Sequence, residues 1–150
     1  MSVPRDRLGR RLPPGSPDGR RYGGDPERAA SSFEGVLAQA LALYGDGDFF
    51  EAHEFFEYLW KHPDAAPSER DLWKGLAQVA VGCCHVQRGN PTGAVALWER
   101  AAVTLGPYPE EHRGLGLGTV RDEARAAAAA LRAGEPPERI LLPRLAPALR

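Results

Sequence analysis

Four side chains in one short stretch have the types and spacing to do chemistry. Glu51, His53, Glu54 and Glu57 lie within GDFFEAHEFFEYLW, residues 47–60. On a helix, side chains four apart are surface neighbours, so His53 and Glu57 meet. An imidazole and a carboxylate at that spacing can share a divalent metal, or act as a base and the acid that orients it. The zincin pattern His-Glu-x-x-His fails, because Glu57 stands where its second histidine belongs. The Glu-x-x-His pairs of di-metal carboxylate bundles fail too, since the order here is reversed. A second role stays open: a pair at the edge of a core that fixes helix packing, as titratable clusters often do. Glu51 follows Asp48 at capping-box spacing and reads as a cap.

These residues need a helix, and the stretch supplies one. Gly45, Asp46 and Gly47 form a turn, Asp48 is an N-cap, and the helix ends near Lys61 before Pro63. Phe49, Ala52, Phe55, Phe56, Leu59 and Trp60 share one broad face that must be buried. A helix over 32–44 precedes it, with Ser31 and Glu34 at capping-box spacing. A helix over about 69–88 follows, apolar nearly all round and so expected in the middle of a bundle. Its polar strip is Lys74, Gln78 and His85, beside Gly75 and Gly82. Two glycines inside a helix, each costing about 1 kcal/mol against alanine, point to close packing there.

Gly89, Asn90 and Pro91 then stop one helix and start the next, which runs to Leu105. A Pro/Gly loop fills 107–118, and an alanine-rich helix capped by Thr119 and Asp122 runs to about Ala133. The tail through Ile140, Leu141, Leu142 and Leu145 covers the bundle. Residues 47–60 and 89–102 echo each other, pairing Ala52 with Ala94, Phe56 with Trp98 and Glu57 with Glu99. The 42-residue offset differs from the tetratricopeptide period of 34. The fold expected is all-α: a compact bundle of about five helices, built as two antiparallel hairpins plus a C-terminal helix.

Folding the 47–60 helix against the 69–88 helix brings Glu57 level with Lys74 and His53 level with Gln78. His85 falls roughly 10 Å further along the axis, at about 1.5 Å rise per residue. A Glu57–Lys74 ion pair and a His53–Gln78 hydrogen bond are therefore expected. His85 is placed nearer Glu51 or Glu54. A metal held jointly by His53, Glu57 and His85 is disfavoured by this register, though those three are the metal candidates.

The chain has 150 residues and a net charge of −1, so nothing global argues for nucleic acid or an anionic membrane. Its two cysteines, Cys83 and Cys84, are adjacent and fit a reducing, cytoplasmic setting. No apolar run is long enough to span a membrane. Residues 1–28 carry seven arginines against four acids, a +3 leader that leaves −4 for the rest. Lacking apolar periodicity, the leader is expected to be disordered, ahead of a helical domain over 29–150. An arm for nucleic acid is disfavoured, because Tyr22 is the leader's only aromatic.

The EAHE-x-x-E-x-x-W helix, Glu51 to Trp60, and the H-x-x-RGN-x-x-GA turn, His85 to Ala94, resemble the bacterial "domain of unknown function 309" family, as does the GLGL run at 114–117. The likeness extends over about 33–145. It implies a compact all-α fold and no particular activity. It carries over Glu51, His53, Glu54, Glu57, Trp60, His85, Arg88, Gly89, Asn90, Gly93 and Ala94. Phe55 and Phe56 are bulkier than that motif suggests, and the arginine-rich leader looks like an addition.

Two functions compete. One is a small interaction or ligand-binding module, a homo-oligomer or the receptor of a protein partner. Its His/Glu site would lie between the 47–60 and 69–88 helices, with Glu51, Lys74, Gln78, His85, Arg88 and Asn90 as binding candidates. The other is a metal-dependent or general acid–base enzyme of hydrolase type using His53, Glu54 and Glu57.

Overall fold

The computed structural model describes residues 3–145. Its helices are α1 (Pro26–Ala29), α2 (Phe33–Gly45), α3 (Phe49–Lys61), α4 (Arg70–Gln87), α5 (Pro91–Leu105) and α6 (Leu117–Arg132). A two-residue hairpin, β1 (Glu111–His112) and β2 (Leu115–Gly116), interrupts the loop before α6. From α2 to α6 each helix packs on the next, and α4 packs on both α3 and α5. The links at 46–48 and 88–90 are so short that α3 must run back along α2, and α5 along α4. The expected all-α bundle of two hairpins and a C-terminal helix is what forms.

The echo between the hairpins has a structural basis. Gly47 and Gly89 both adopt left-handed backbone, with φ of 79° and 74°, and each is followed by an N-cap position. Asn90 caps α5 by accepting from the Gly93 amide, whereas Asp48 makes no such bond. Ala52, Ala94, Phe56 and Trp98 are all fully buried. The two glycines of α4 make room for side chains of α5. A methyl at Gly82 would sit 2.4 Å from the Trp98 indole, and one at Gly75 would sit 2.6 Å from Leu105. Trp98 is fixed there by donating from Nε1 to the Val79 carbonyl at 3.2 Å.

The hairpin at 111–116 is tied down by charge. Arg113 donates to both oxygens of Glu69, at 2.6 and 2.9 Å, and to Glu34 at 2.9 Å, while His112 lies 2.7 Å from Glu69. Loop, α2 and the start of α4 are thereby joined. The tail meets the bundle through Leu145 and through the Tyr44 hydroxyl, which donates to the Pro143 carbonyl. Leu141, expected to face inward, is instead 90% exposed. Ile140 has extended backbone, and Leu141 points outward between the half-buried Ile140 and Leu142.

Residues 3–28 are not the loose leader expected from composition. They fold back over α3. Asp6 accepts from the amides of Leu8 and Arg10, Arg5 and Arg11 form a bridge, and Asp25 caps α1. Lacking apolar periodicity, this segment is held by hydrogen bonds and ion pairs to the helices.

Candidate functional site

Helix α3 presents its acids to the leader. Glu51 is 1% exposed. Its carboxylate accepts from three leader amides: Arg21 at 2.6 Å, Tyr22 at 2.7 Å and Gly24 at 3.3 Å. It is therefore no cap for its own helix, as its spacing from Asp48 had suggested. A buried carboxylate needs such donors, because leaving its lone pairs unmet in a low-dielectric setting is costly. Beside it, Glu54 accepts from Arg20 NH1 at 2.9 and 3.1 Å. Arg20 also forks onto Asp18, with Nε to Oδ1 at 2.9 Å and NH2 to Oδ2 at 2.7 Å. Arg20 is 7% exposed, buried for an arginine.

The charges feel this enclosure. Burial pushes the Glu54 carboxyl above the usual range, and the Arg20 cation only partly pulls it back. Asp18 is held well below that range by its hydrogen bonds from Arg20, and Arg20 is itself pushed up, chiefly by Asp18. Around this centre Arg7 and Arg21 pair with Asp48, and Arg21 also bonds Asp46 at 2.7 Å.

Two glycines let the leader lie this close. Gly24 has φ +76°, and a methyl on it would sit 2.3 Å from the Arg20 guanidinium and 2.9 Å from Glu54. Gly9 has φ +83° and lies against the Phe50 ring, where a methyl would sit at 2.1 Å. That ring also has Arg5 and Arg88 over it, at 5.4 and 5.6 Å, and the His53 ring at 4.8 Å. Tyr22 stacks at a tilt on Phe55, with centroids 5.6 Å apart.

His53 and Glu57 do meet, with Nε2 3.2 Å from Oε1. Nδ1 lies 2.5 Å from the Phe50 carbonyl, which can only accept. Both ring nitrogens therefore face acceptors. Glu57 is pulled below its ordinary range by that hydrogen bond from His53.

The expected partnerships with α4 do not form. Glu57 reaches Lys61 on its own helix at 3.5 Å, while Lys74 lies 5.9 Å over the Trp60 ring. A pair four apart on one helix is already aligned, whereas Lys74 can rest its stem and charge on the half-buried aromatic. His53 bonds Phe50 and Glu57 instead of Gln78, whose Oε1 is buried without a partner. His85 stays with its own turn. Its Nδ1 is 3.2 Å from the Asn90 amide, it packs on Gly93, and burial lowers its basicity, with Arg88 adding to the effect. It does not approach Glu51 or Glu54, both committed to the leader. Arg88 donates to the Leu8 carbonyl at 2.7 Å, so it too serves the leader. Among the described residues, no three His, Cys, Asp or Glu side chains gather closely enough to hold a metal ion.

The residues missed in sequence are thus Arg20, the amides of Arg21 and Tyr22, Gly24, Gly9 and Asp18. Two signals were available for them. The +3 leader opposes a −4 body, and Tyr22-Gly23-Gly24-Asp25-Pro26 is a turn feeding a helix start.

Comparison with known proteins finds chains of similar sequence. An "Uncharacterized protein" of Aquifex aeolicus (strain VF5) is 26% identical over 106 residues, covering 69% of this chain and 31% of that protein. "Uncharacterized protein YpuF" of Bacillus subtilis (strain 168) is 33% identical over 73 residues, 49% of this chain and 40% of that one. The matches thus span less than half the length of either relative. A family model described as "Domain of unknown function (DUF309)" matches residues 37–97, a shorter span than the 33–145 of the sequence likeness. That span runs from α2 through α3 and α4 into α5, and holds Glu51, His53, Glu54, Glu57 and His85. Over residues 37–97, the chain is similar to the DUF309 family.

Proposed function

We propose that this protein is a helical interaction module whose binding seam is the acidic strip of α3, Glu51 and Glu54, and that the leader covers this seam. One observation carries the reading: a fully buried carboxylate, Glu51, receives three backbone amides from another segment. Carboxylates so placed recognise a peptide main chain, whatever its side chains. The partner class is therefore protein.

The acid–base or metal alternative has less support. Glu54 is engaged by Arg20, both nitrogens of His53 face acceptors, and His85 lies with Asn90. Nucleic acid is disfavoured for the leader because Arg7, Arg20 and Arg21 are already paired with acids. No described helix is long and apolar enough to cross a membrane. A reducing, cytoplasmic setting accords with Cys83 and Cys84, both free and buried, the first with its thiol pushed up to about 12 by burial.

A random-peptide display selection tests the reading. The bait is the full chain carrying R20A and G24A, which removes the clamp that holds the leader. A consensus should emerge whose binding is abolished by adding E54A. No enrichment, or a consensus indifferent to Glu54, would overturn the module.

A further inference from the structure

We infer that the seam is a receptor for an arginine-bearing turn of a partner protein, and that the leader is its stand-in, held in cis. The inference rests on the module reading and names the ligand's chemistry.

The bound leader shows what the seam accepts. Arg20 enters side-on to Glu54 and brings its own bidentate partner, Asp18, two residues earlier. Tyr22, two residues later, lays its ring on Phe55. Gly24, four residues later, turns with positive φ and leaves the space the guanidinium needs. The main chain between them is read by Glu51. The pattern recognised is Asp-x-Arg-x-aromatic-x-Gly. Lysine would not replace the arginine, since its point charge cannot fork onto one carboxylate while meeting another.

Receptor and occupant separate along the chain. Glu51, Glu54 and Phe55 lie inside the segment matched by the family model, 37–97, whereas residues 18–24 lie outside it. The receptor side of the seam thus lies in the segment similar to the family, and its occupant lies outside that segment. Beside the clamp is a cleft of about 450 Å³ bordered by Asp18, Arg20, Gly24 and Glu54, giving a competing segment a point of entry. The grip is polar apart from Tyr22, so water can replace each bond as the leader lifts. A segment tethered in cis acts at an effective concentration of millimolar order, which a partner overcomes by binding tightly or by engaging a second surface.

The test is a titration with a fluorescein-labelled peptide of residues 16–26, read by anisotropy. Receptors are the wild-type full chain, the R20A/G24A chain, and that chain with E54A added. Amide exchange at Tyr22 and Gly24 reports whether the leader has lifted. The R20A/G24A chain should bind the peptide at least tenfold more tightly than wild type. Adding E54A, or replacing the peptide's arginine by alanine or lysine, should each cost at least tenfold. In wild type, millimolar unlabelled peptide should speed exchange at Tyr22 and Gly24, a readout needing no variant.

Equal binding to wild type and R20A/G24A, or indifference to Glu54 or the arginine, would overturn the inference. So would a leader that stays protected in R20A/G24A, for then the arginine is not what holds it. If the display selection returns a Glu54-dependent consensus without arginine, this inference falls and the module stands. If neither experiment finds a ligand, both fall.

Discussion

At the residue scale, three side chains share the leader unequally. Glu51 is buried and has three amide donors, so removing it strips every one of those bonds at once. Arg20 joins Asp18 to Glu54, and its loss leaves Glu54 enclosed without a counter-charge. In E54Q the arginine keeps its fork on Asp18. The ionised form of Glu54 is already disfavoured, since burial raises its pKa more than Arg20 lowers it. With the folded pKa raised, stability from this group is full below the unfolded value and declines as pH rises through the folded one. At neutral pH the neutral glutamine is thus the milder change. Urea unfolding should give losses of about 2–4 kcal/mol for E51A, about 2–3 for R20A and about 1 or less for E54Q. E54Q costing as much as R20A would mean that Glu54, not the arginine, anchors the leader. None of this ranking could be read from EAHE alone. The spacing told that His53 and Glu57 touch, which they do, but a carboxylate's partners are set by what packs over it.

At the element scale, helix starts and stops were legible. Asn90-Pro91, Gly47 and Gly89 carry their conformations in their own chemistry, and the helix bounds follow within a few residues. The partners of the α4 polar strip were not legible. Rotating a helix slightly about its axis moves Lys74 from Glu57 to Trp60, and no local preference fixes that rotation. Large buried residues fix it instead. Trp98 and Leu105 seat against Gly82 and Gly75, locking α5 on α4. Alanine at Gly82 gains about 1 kcal/mol of helix propensity but must push an indole already bonded to Val79. The net effect of G82A should be a loss of about 1–3 kcal/mol with a lower thermal midpoint. A stabilised G82A would show that α5 yields readily.

On the scale of the whole molecule, charge joins what apolar packing leaves loose. The 111–116 hairpin is tied to α2 and α4 through Arg113, Glu69, His112 and Glu34. Glu69 is held below the ordinary carboxylate range, first by its hydrogen bond from Arg113. A depressed folded pKa contributes stability that is full above the unfolded value of about 4.5 and is lost as pH falls through the folded one. Thermal melts from pH 6 to pH 2 should therefore show a shallower acid limb in E69Q than in wild type. Identical limbs would remove Glu69 from the account. By itself, the sequence determined the helices, their order and the acid-rich face of α3, because periodicity, caps and turn residues act locally. Only the tertiary structure decided who meets those acids, since a leader without apolar rhythm declares its destination only when its arginines and amides find buried carboxylates some thirty residues away.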